Sequence, residues 1–224
     1  MLEVRDLAID LDGAPLVEGV SFDLAPGTIT GLYGDSGCGK TTLALALLRL
    51  LPPARYRVRG SVRLEGREVL AMSPRELEAL RGAEMSIIFQ DPLLSLNPVL
   101  RVRTQVEEVL RAHRCKGRAE SLFEMVGLPR EGRILNAYPH QLSGGERQRV
   151  LIAQALACGP RVVIADEPFT ALDVVRVVEL AALFRKLVAE TGTTFLVISH
   201  HAGVLKALAG PVLRMERGQV CRAA

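Results

Sequence analysis

The chain has 224 residues, 49% of them hydrophobic and 24% charged. That supplies a sizeable core, and 28 basic against 25 acidic side chains leave a net charge of +3, which gives no sign of a nucleic-acid partner. No apolar run approaches the roughly 20 residues of a membrane-spanning helix, and the charged start Met1-Leu2-Glu3-Val4-Arg5-Asp6 lacks a signal-peptide core. Cys38, Cys115, Cys158 and Cys221 are scattered without a C-x-x-C pair. That spacing predicts reduced thiols, with neither a disulfide frame nor a metal knot.

In chain order, Leu2-Val4-Leu7-Ile9-Leu11 is mostly apolar at alternate places and predicts a strand. Gly13-Ala14-Pro15 turns the chain, Val20 to Leu24 alternates again, and Pro26-Gly27 makes a second turn. Thr28 to Tyr33 reads as a short buried strand and Thr42 to Leu50 as an apolar helix stopped by Pro52-Pro53. Gly60–Leu64 and Glu68–Leu70 predict a small hairpin around Gly66, and Ser73-Pro74-Arg75-Glu76 a helix start. Met85 to Phe89 is a further buried strand. From about 100 to 139 helical periodicity replaces strand-like runs, which predicts a helical insertion. A long helix is expected from Gly144 to about Cys158, then a strand over Arg161–Asp166, a helix over Val174–Ala189 and a strand over Thr193–Ser199. A short helix at His201–Ala209 and strands at Val212–Met215 and Gln219-Val220 close the chain. Alternating strands and helices imply an α/β domain with a largely parallel core sheet.

The stretch with the sharpest chemistry lies between the third strand and its helix. Gly34-Asp35-Ser36-Gly37-Cys38-Gly39-Lys40-Thr41-Thr42 fits G-x-x-x-x-G-K-[ST] without a mismatch. Gly34, Gly37 and Gly39 let successive backbone N–H groups point inward at a phosphate. Lys40 brings a compact positive charge to the β- and γ-phosphates, and the Thr41 hydroxyl is placed to ligate Mg²⁺. Cys38 reads as a space-filler. Downstream, Val162 to Asp166 is an apolar strand ending in Asp166-Glu167. Asp166 is the candidate holder of Mg²⁺ through its water shell, and Glu167 stands where a carboxylate polarises an attacking water. Leu142-Ser143-Gly144-Gly145-Glu146 puts a hydroxyl and open backbone donors at a helix start, a second phosphate site. Ser143 with Glu146 also fits an ordinary capping box, and both readings hold together.

With these motifs, Gln90, Ala171-Leu172-Asp173 and His200 in this order, the chain resembles the ATP-binding subunits of ABC transporters over essentially its full length. Ile88 to Pro98 and Tyr138 to Gly145 look like the peptide and nickel importer branch. The resemblance implies a phosphate-loop NTPase core with a mainly parallel sheet, an N-terminal antiparallel β-subdomain and a helical insertion. Residues 1–224 then form a single ATP-binding domain whose helical subdomain spans about 92–159. It further implies that ATP and Mg²⁺ are the cofactors. ATP bound at residues 34–42 of one chain is capped by Ser143, Gly144, Gly145 and Glu146 of a second ATP-binding subunit. Glu167 acts as general base, His200 contacts the γ-phosphate, Gln90 ligates Mg²⁺ and senses the membrane partner, and Asp173 links the two sites. The implied partners are integral membrane permease subunits and, indirectly, an extracytoplasmic solute-binding protein, at the cytoplasmic face of the membrane. A soluble ABC-type ATPase acting on a non-membrane partner is the alternative. Two positions depart from the family pattern: Leu11 stands where an aromatic usually stacks on adenine, and Phe169 where a small polar residue is common.

Overall fold

Two sheets organise the protein, seen here in a computed structural model that describes residues 1–129, 132–170 and 172–222. The first is antiparallel, with strand order β2-β1-β4-β5. It is built from β1 (Leu2–Leu11), β2 (Ala14–Leu24), β4 (Tyr56–Leu64) and the two-residue β5 (Arg67–Glu68). The second is six-stranded, in the order β10-β9-β3-β8-β7-β6. It comprises β3 (Ile29–Gly34), β6 (Met85–Ile88), β7 (Val162–Asp166), β8 (Thr194–Ser199), β9 (Val212–Glu216) and β10 (Gln219–Arg222). All of its pairings are parallel except β9 with β10. The expected α/β core with an antiparallel N-terminal sheet is therefore present.

The parallel strands are continuous apolar runs because both of their faces are covered. Side chains at alternate positions enter two different cores. Val162, Ile164, Leu196 and Ile198 join one core with β1, β2, β4 and helix α1 (Lys40–Leu47). Val163, Ala165, Phe195 and Val197 join the other, with the helices on the far side. Helix α1 is thus held between the two sheets, and the loop that precedes it emerges at the carboxyl end of β3.

Between β6 and β7 the chain is helical: α3 (Pro92–Ser95), α4 (Val102–Ala112), α5 (Ala119–Met125), α6 (Arg133–Asn136) and α7 (Gly144–Ala155). Val102, Val106 and Leu110 of α4 and Leu122 and Phe123 of α5 enter the core with Val150 and Ile152 of α7. Outside this segment stand α2 (Pro74–Leu80), α8 (Val174–Thr191) and α9 (Ala202–Leu208). Ser73 starts α2 with a capping box to Glu76, as its sequence predicts.

Several expectations are corrected. The helix after the glycine loop begins at Lys40 and ends at Leu47, ahead of the prolines, where Arg49 takes a φ of 49°. The strand expected from Val20 begins at Ala14, because its first half pairs with β1 beyond the alternating residues. The small hairpin around Gly66 forms, but its second arm is Arg67–Glu68 and not Glu68–Leu70: the chain leaves β5 for a 3₁₀ turn at Val69–Ala71. Its Glu68 carboxylate accepts from the N–H groups of Val62 (2.9 Å) and Leu70 (3.2 Å), so a side chain bridges what a longer strand would have paired. The largest correction concerns the thiols: Cys115 and Cys158 are joined as a disulfide, with Cα atoms 5.5 Å apart, leaving Cys38 and Cys221 free. Cys115 follows α4 and Cys158 follows α7, and packing of those helices brings together two residues that no local motif connects.

Candidate functional site

Four loops at the carboxyl ends of parallel strands converge on one cleft of about 350 Å³. From the β3–α1 loop come Ser36, Gly37, Gly39, Lys40, Thr41 and Thr42, and facing them are Gln90, Glu167, Thr170 and His200. The loop is shaped by its glycines. Gly37 and Gly39 take φ values of 80° and 104°, open to residues without a Cβ. At Gly34 a Cβ would collide with the Met215 carbonyl oxygen. The lysine ammonium lies inside the loop, donating to the carbonyl oxygens of Gly34 (2.8 Å) and Asp35 (2.9 Å) and standing 3.9 Å from Cys38 Sγ. Lys40 is buried and begins α1, so its charge and the helix's positive end act at the same place.

Asp166 ends β7 in the floor of this region. It is 3% exposed, and its Oδ1 is buried without a hydrogen-bond partner. Burial raises its carboxyl above the ordinary aspartate value. A hydrogen bond with Thr41 and the Lys40 charge pull it the other way, and the neighbouring Glu167 adds to the rise. A buried carboxylate oxygen left bare beside a threonine hydroxyl is a donor set suited to a hard divalent cation, and Mg²⁺ fits it. Glu167 stands one residue further, at a φ of 50°, where its N–H donates to the Ile198 carbonyl (2.9 Å) and the chain leaves the strand. One of its carboxylate oxygens, Oε2, lies 2.8 Å from His200 Nδ1 and 3.5 Å from the Thr170 hydroxyl. Glu167 and His200 thus form a hydrogen-bonded pair facing the phosphate loop.

The Ser143–Glu146 stretch is elsewhere. It lines a second cavity of about 370 Å³, with Arg149, Leu172 and Arg176 on its other walls. Ser143 is the N-cap of α7: its hydroxyl accepts from Glu146 N–H (3.3 Å), and the Glu146 carboxylate accepts from Ser143 N–H (2.7 Å). The Ser143 bonds hold that carboxyl below its ordinary value, aided by Arg133 at 2.6 Å. Gln148, one turn on, donates to the Pro168 carbonyl and ties α7 to the segment after Glu167. One chain therefore carries a phosphate loop with its acids, and apart from it a helix start with free donors. Asp173 caps α8 by accepting from Arg176 N–H (2.9 Å), whereas Ala171 lies outside the described residues.

Not all sequence candidates line the cleft. Gly34, Asp35 and Cys38 are absent from its lining, and so is Asp166, which meets the site through Thr41. Leu11 pairs with Ala14 and Tyr56 and is absent from the cleft, which Leu16 borders instead. Leu16 carried no motif, and nothing in Ala14-Pro15-Leu16-Val17 sets it apart from its apolar neighbours. Phe169 is buried, edge-to-face against Phe184 at 6.1 Å, so it serves the core. Arg133 and Arg176 were likewise missed, since only the folded chain brings them to α7.

Comparison with known proteins agrees with this geometry. Residues 17–170 match the family model described as ABC transporter. The chain is 40% identical to the oligopeptide transport ATP-binding protein OppD of Bacillus subtilis (strain 168) over 98% of its own length and 64% of the relative's. A putative peptide import ATP-binding protein of Brucella melitensis biotype 1 is 41% identical over 98% of this chain and 69% of the relative. The chain thus spans about two thirds of the length of these relatives. Among solved structures, the dimeric post-hydrolysis state of the ATP-binding cassette MJ0796 bound to ADP and Pi superposes with a TM-score of 0.84 at 26% identity, covering 100% of this chain and 98% of that one. With a full-length likeness of this kind and its acids, histidine and phosphate loop gathered in one cleft, the chain belongs to the ABC transporter family of ATP-binding cassettes.

Proposed function

We propose that this chain is the ATP-hydrolysing subunit of a peptide importer. The observation that carries the reading is the Glu167–His200 pair, 2.8 Å apart and facing the phosphate loop across one cleft. In this reading the whole chain is one ATP-binding domain, with the helices of about residues 92–159 as its subdomain. The N–H groups of Gly37, Gly39, Lys40 and Thr41 hold the phosphate oxygens, and the Lys40 ammonium exchanges its carbonyl partners for them. Thr41, Gln90 and Asp166 hold Mg²⁺, which neutralises charge on the phosphates. Glu167 takes the proton of the attacking water, and His200 orients that carboxylate and contacts the γ-phosphate. The Ser143–Glu146 end of α7 belongs to the second half of the site, closing on ATP bound by another ATP-binding subunit. A dimer so bridged is stable only while the γ-phosphate is present.

The membrane partner has a surface to meet. Beside Gln90, Phe89, Leu93 and Leu94 are 43%, 54% and 87% exposed around the short helix α3, which Asp91 caps. An apolar patch of this kind suits a short helix of a permease. No helix among the described residues is long and apolar enough to cross a membrane, which suits a peripheral subunit at the cytoplasmic face. The relatives' names make peptide the preferred solute, delivered by an extracytoplasmic binding protein. Glu167→Gln tests the chemistry: turnover falls to background while ATP binding persists, and an ATP-dependent dimer accumulates on size exclusion. Unchanged turnover removes Glu167 from the role of base. Charge at Leu94 tests the partner: Leu94→Glu uncouples solute uptake and spares basal hydrolysis, whereas normal uptake removes Leu94 from the permease contact, and recovery of a soluble partner with no permease in pull-downs sends the reading back to a soluble ATPase.

A further inference from the structure

The Ser143–Gly145 end of α7 has a neighbour that the sequence did not single out. A Cβ built on Gly144 would lie 4.0 Å from a guanidinium nitrogen of Arg176, and Arg176 walls the same cavity as Ser143 and Gly145. Arg176 lines no part of its own chain's nucleotide cleft. Its guanidinium is half exposed and pairs with Asp173 Oδ2 at 3.4 Å, a contact within one helical turn. The donors at the start of α7 are neutral: a hydroxyl and backbone N–H groups. The acid among them, Glu146, is already engaged by Ser143 N–H and Arg133.

We propose that Arg176 is a nucleotide-contacting cation supplied in trans: when Ser143, Gly144 and Gly145 cap the triphosphate held by a second copy, the Arg176 guanidinium reaches its terminal phosphate. This rests on the capped-dimer reading above and adds a residue to it. A solvent-exposed pair with Asp173 is weak and easily given up. A guanidinium fork on phosphate oxygens is stronger and directional. The exchange leaves α8 capped, because the Arg176 backbone N–H still donates to Asp173 Oδ1 at 2.9 Å. It frees the other Asp173 oxygen at the moment of closure, so contact with nucleotide and release of Asp173 become one event.

The test uses the full chain in a Glu167→Gln background, where ATP is not consumed. Dimerisation with Mg-ATP is measured by sedimentation, and binding of a fluorescent ATP analogue at concentrations too dilute for dimers. Arg176→Gln is expected to weaken the ATP-dependent dimer by about tenfold, and Arg176→Lys to restore part of the loss. Binding of the analogue to monomer stays within about twofold and the unfolding midpoint is unchanged, which a merely structural role would not reproduce. Dimerisation equal to that of the parent overturns the proposal, as does an equal loss in monomer binding. A parent that fails to dimerise with ATP overturns the capped-dimer reading itself, and the proposal with it.

Discussion

Asp166 and Leu16 show how single residues are placed against their own comfort. Asp166 keeps a bare oxygen in a buried site, a destabilising arrangement without a cation. Asp166→Asn is therefore expected to raise the unfolding midpoint of the metal-free protein. It should also abolish the further rise that Mg-ATP produces, as scanning calorimetry with and without Mg-ATP would register. Leu16 borders the cleft, and it offers apolar contact without a π face. Leu16→Ala should weaken ATP and GTP together by about fivefold, near 1 kcal/mol of lost apolar contact. Leu11→Ala should leave both affinities within about twofold, since its position faces the neighbouring strands. Equilibrium titration of both nucleotides into the two variants distinguishes them. If Leu11 proves the sensitive position, the base lies deeper along β1 than the cleft suggests.

At the scale of elements, the start of α7 shows one device serving stability and binding together. Ser143→Ala removes a cap worth about 1 kcal/mol. Because Glu146 titrates below its ordinary value, its contribution is present above the unfolded value of 4.5 and is lost as pH falls through the lower folded value. Acid should thus loosen α7 ahead of the sheet, seen as earlier hydrogen exchange in Ser143–Arg147 than in β7. A bulge matters equally in the antiparallel sheet. Gly60 sits in β4 at a φ of 105°, opposite the register shift of β1 between Arg5 and Ala8. A Cβ there would lie 2.5 Å from the Asp6 carbonyl oxygen. Gly60→Ala should destabilise the protein by more than the roughly 1 kcal/mol of an ordinary glycine exchange, measured by urea denaturation.

For the whole molecule, the Cys115–Cys158 bridge ties the end of α4 to the end of α7, across a separation of 43 residues. Closing a loop of that length stabilises the folded chain by about 2–4 kcal/mol through the unfolded state. Reductant should lower the unfolding midpoint accordingly, and Cys115→Ser should make the midpoint insensitive to reductant. Thiol titration of denatured protein should find two thiols before reduction, Cys38 and Cys221, and four after it. Four thiols at the outset would mean that the two helices approach without a bond.

Much of this protein was legible in one dimension because local physics wrote it there. A phosphate loop needs glycines and a lysine at set spacing, strands buried on both faces need unbroken apolar runs, and a helix start needs a cap. Residues 34–42, Val162–Glu167 and Ser143–Glu146 could therefore be read without any contact map. Relations between distant segments had no such trace. That Glu167 meets His200, that Leu16 rather than Leu11 borders the cleft, that Arg176 stands by Gly144, and that Cys115 meets Cys158 depend on strand order and helix packing. Each joins residues 32 to 43 positions apart or turns on a strand's register, and those are set by the burial of whole faces, which no short stretch of sequence encodes.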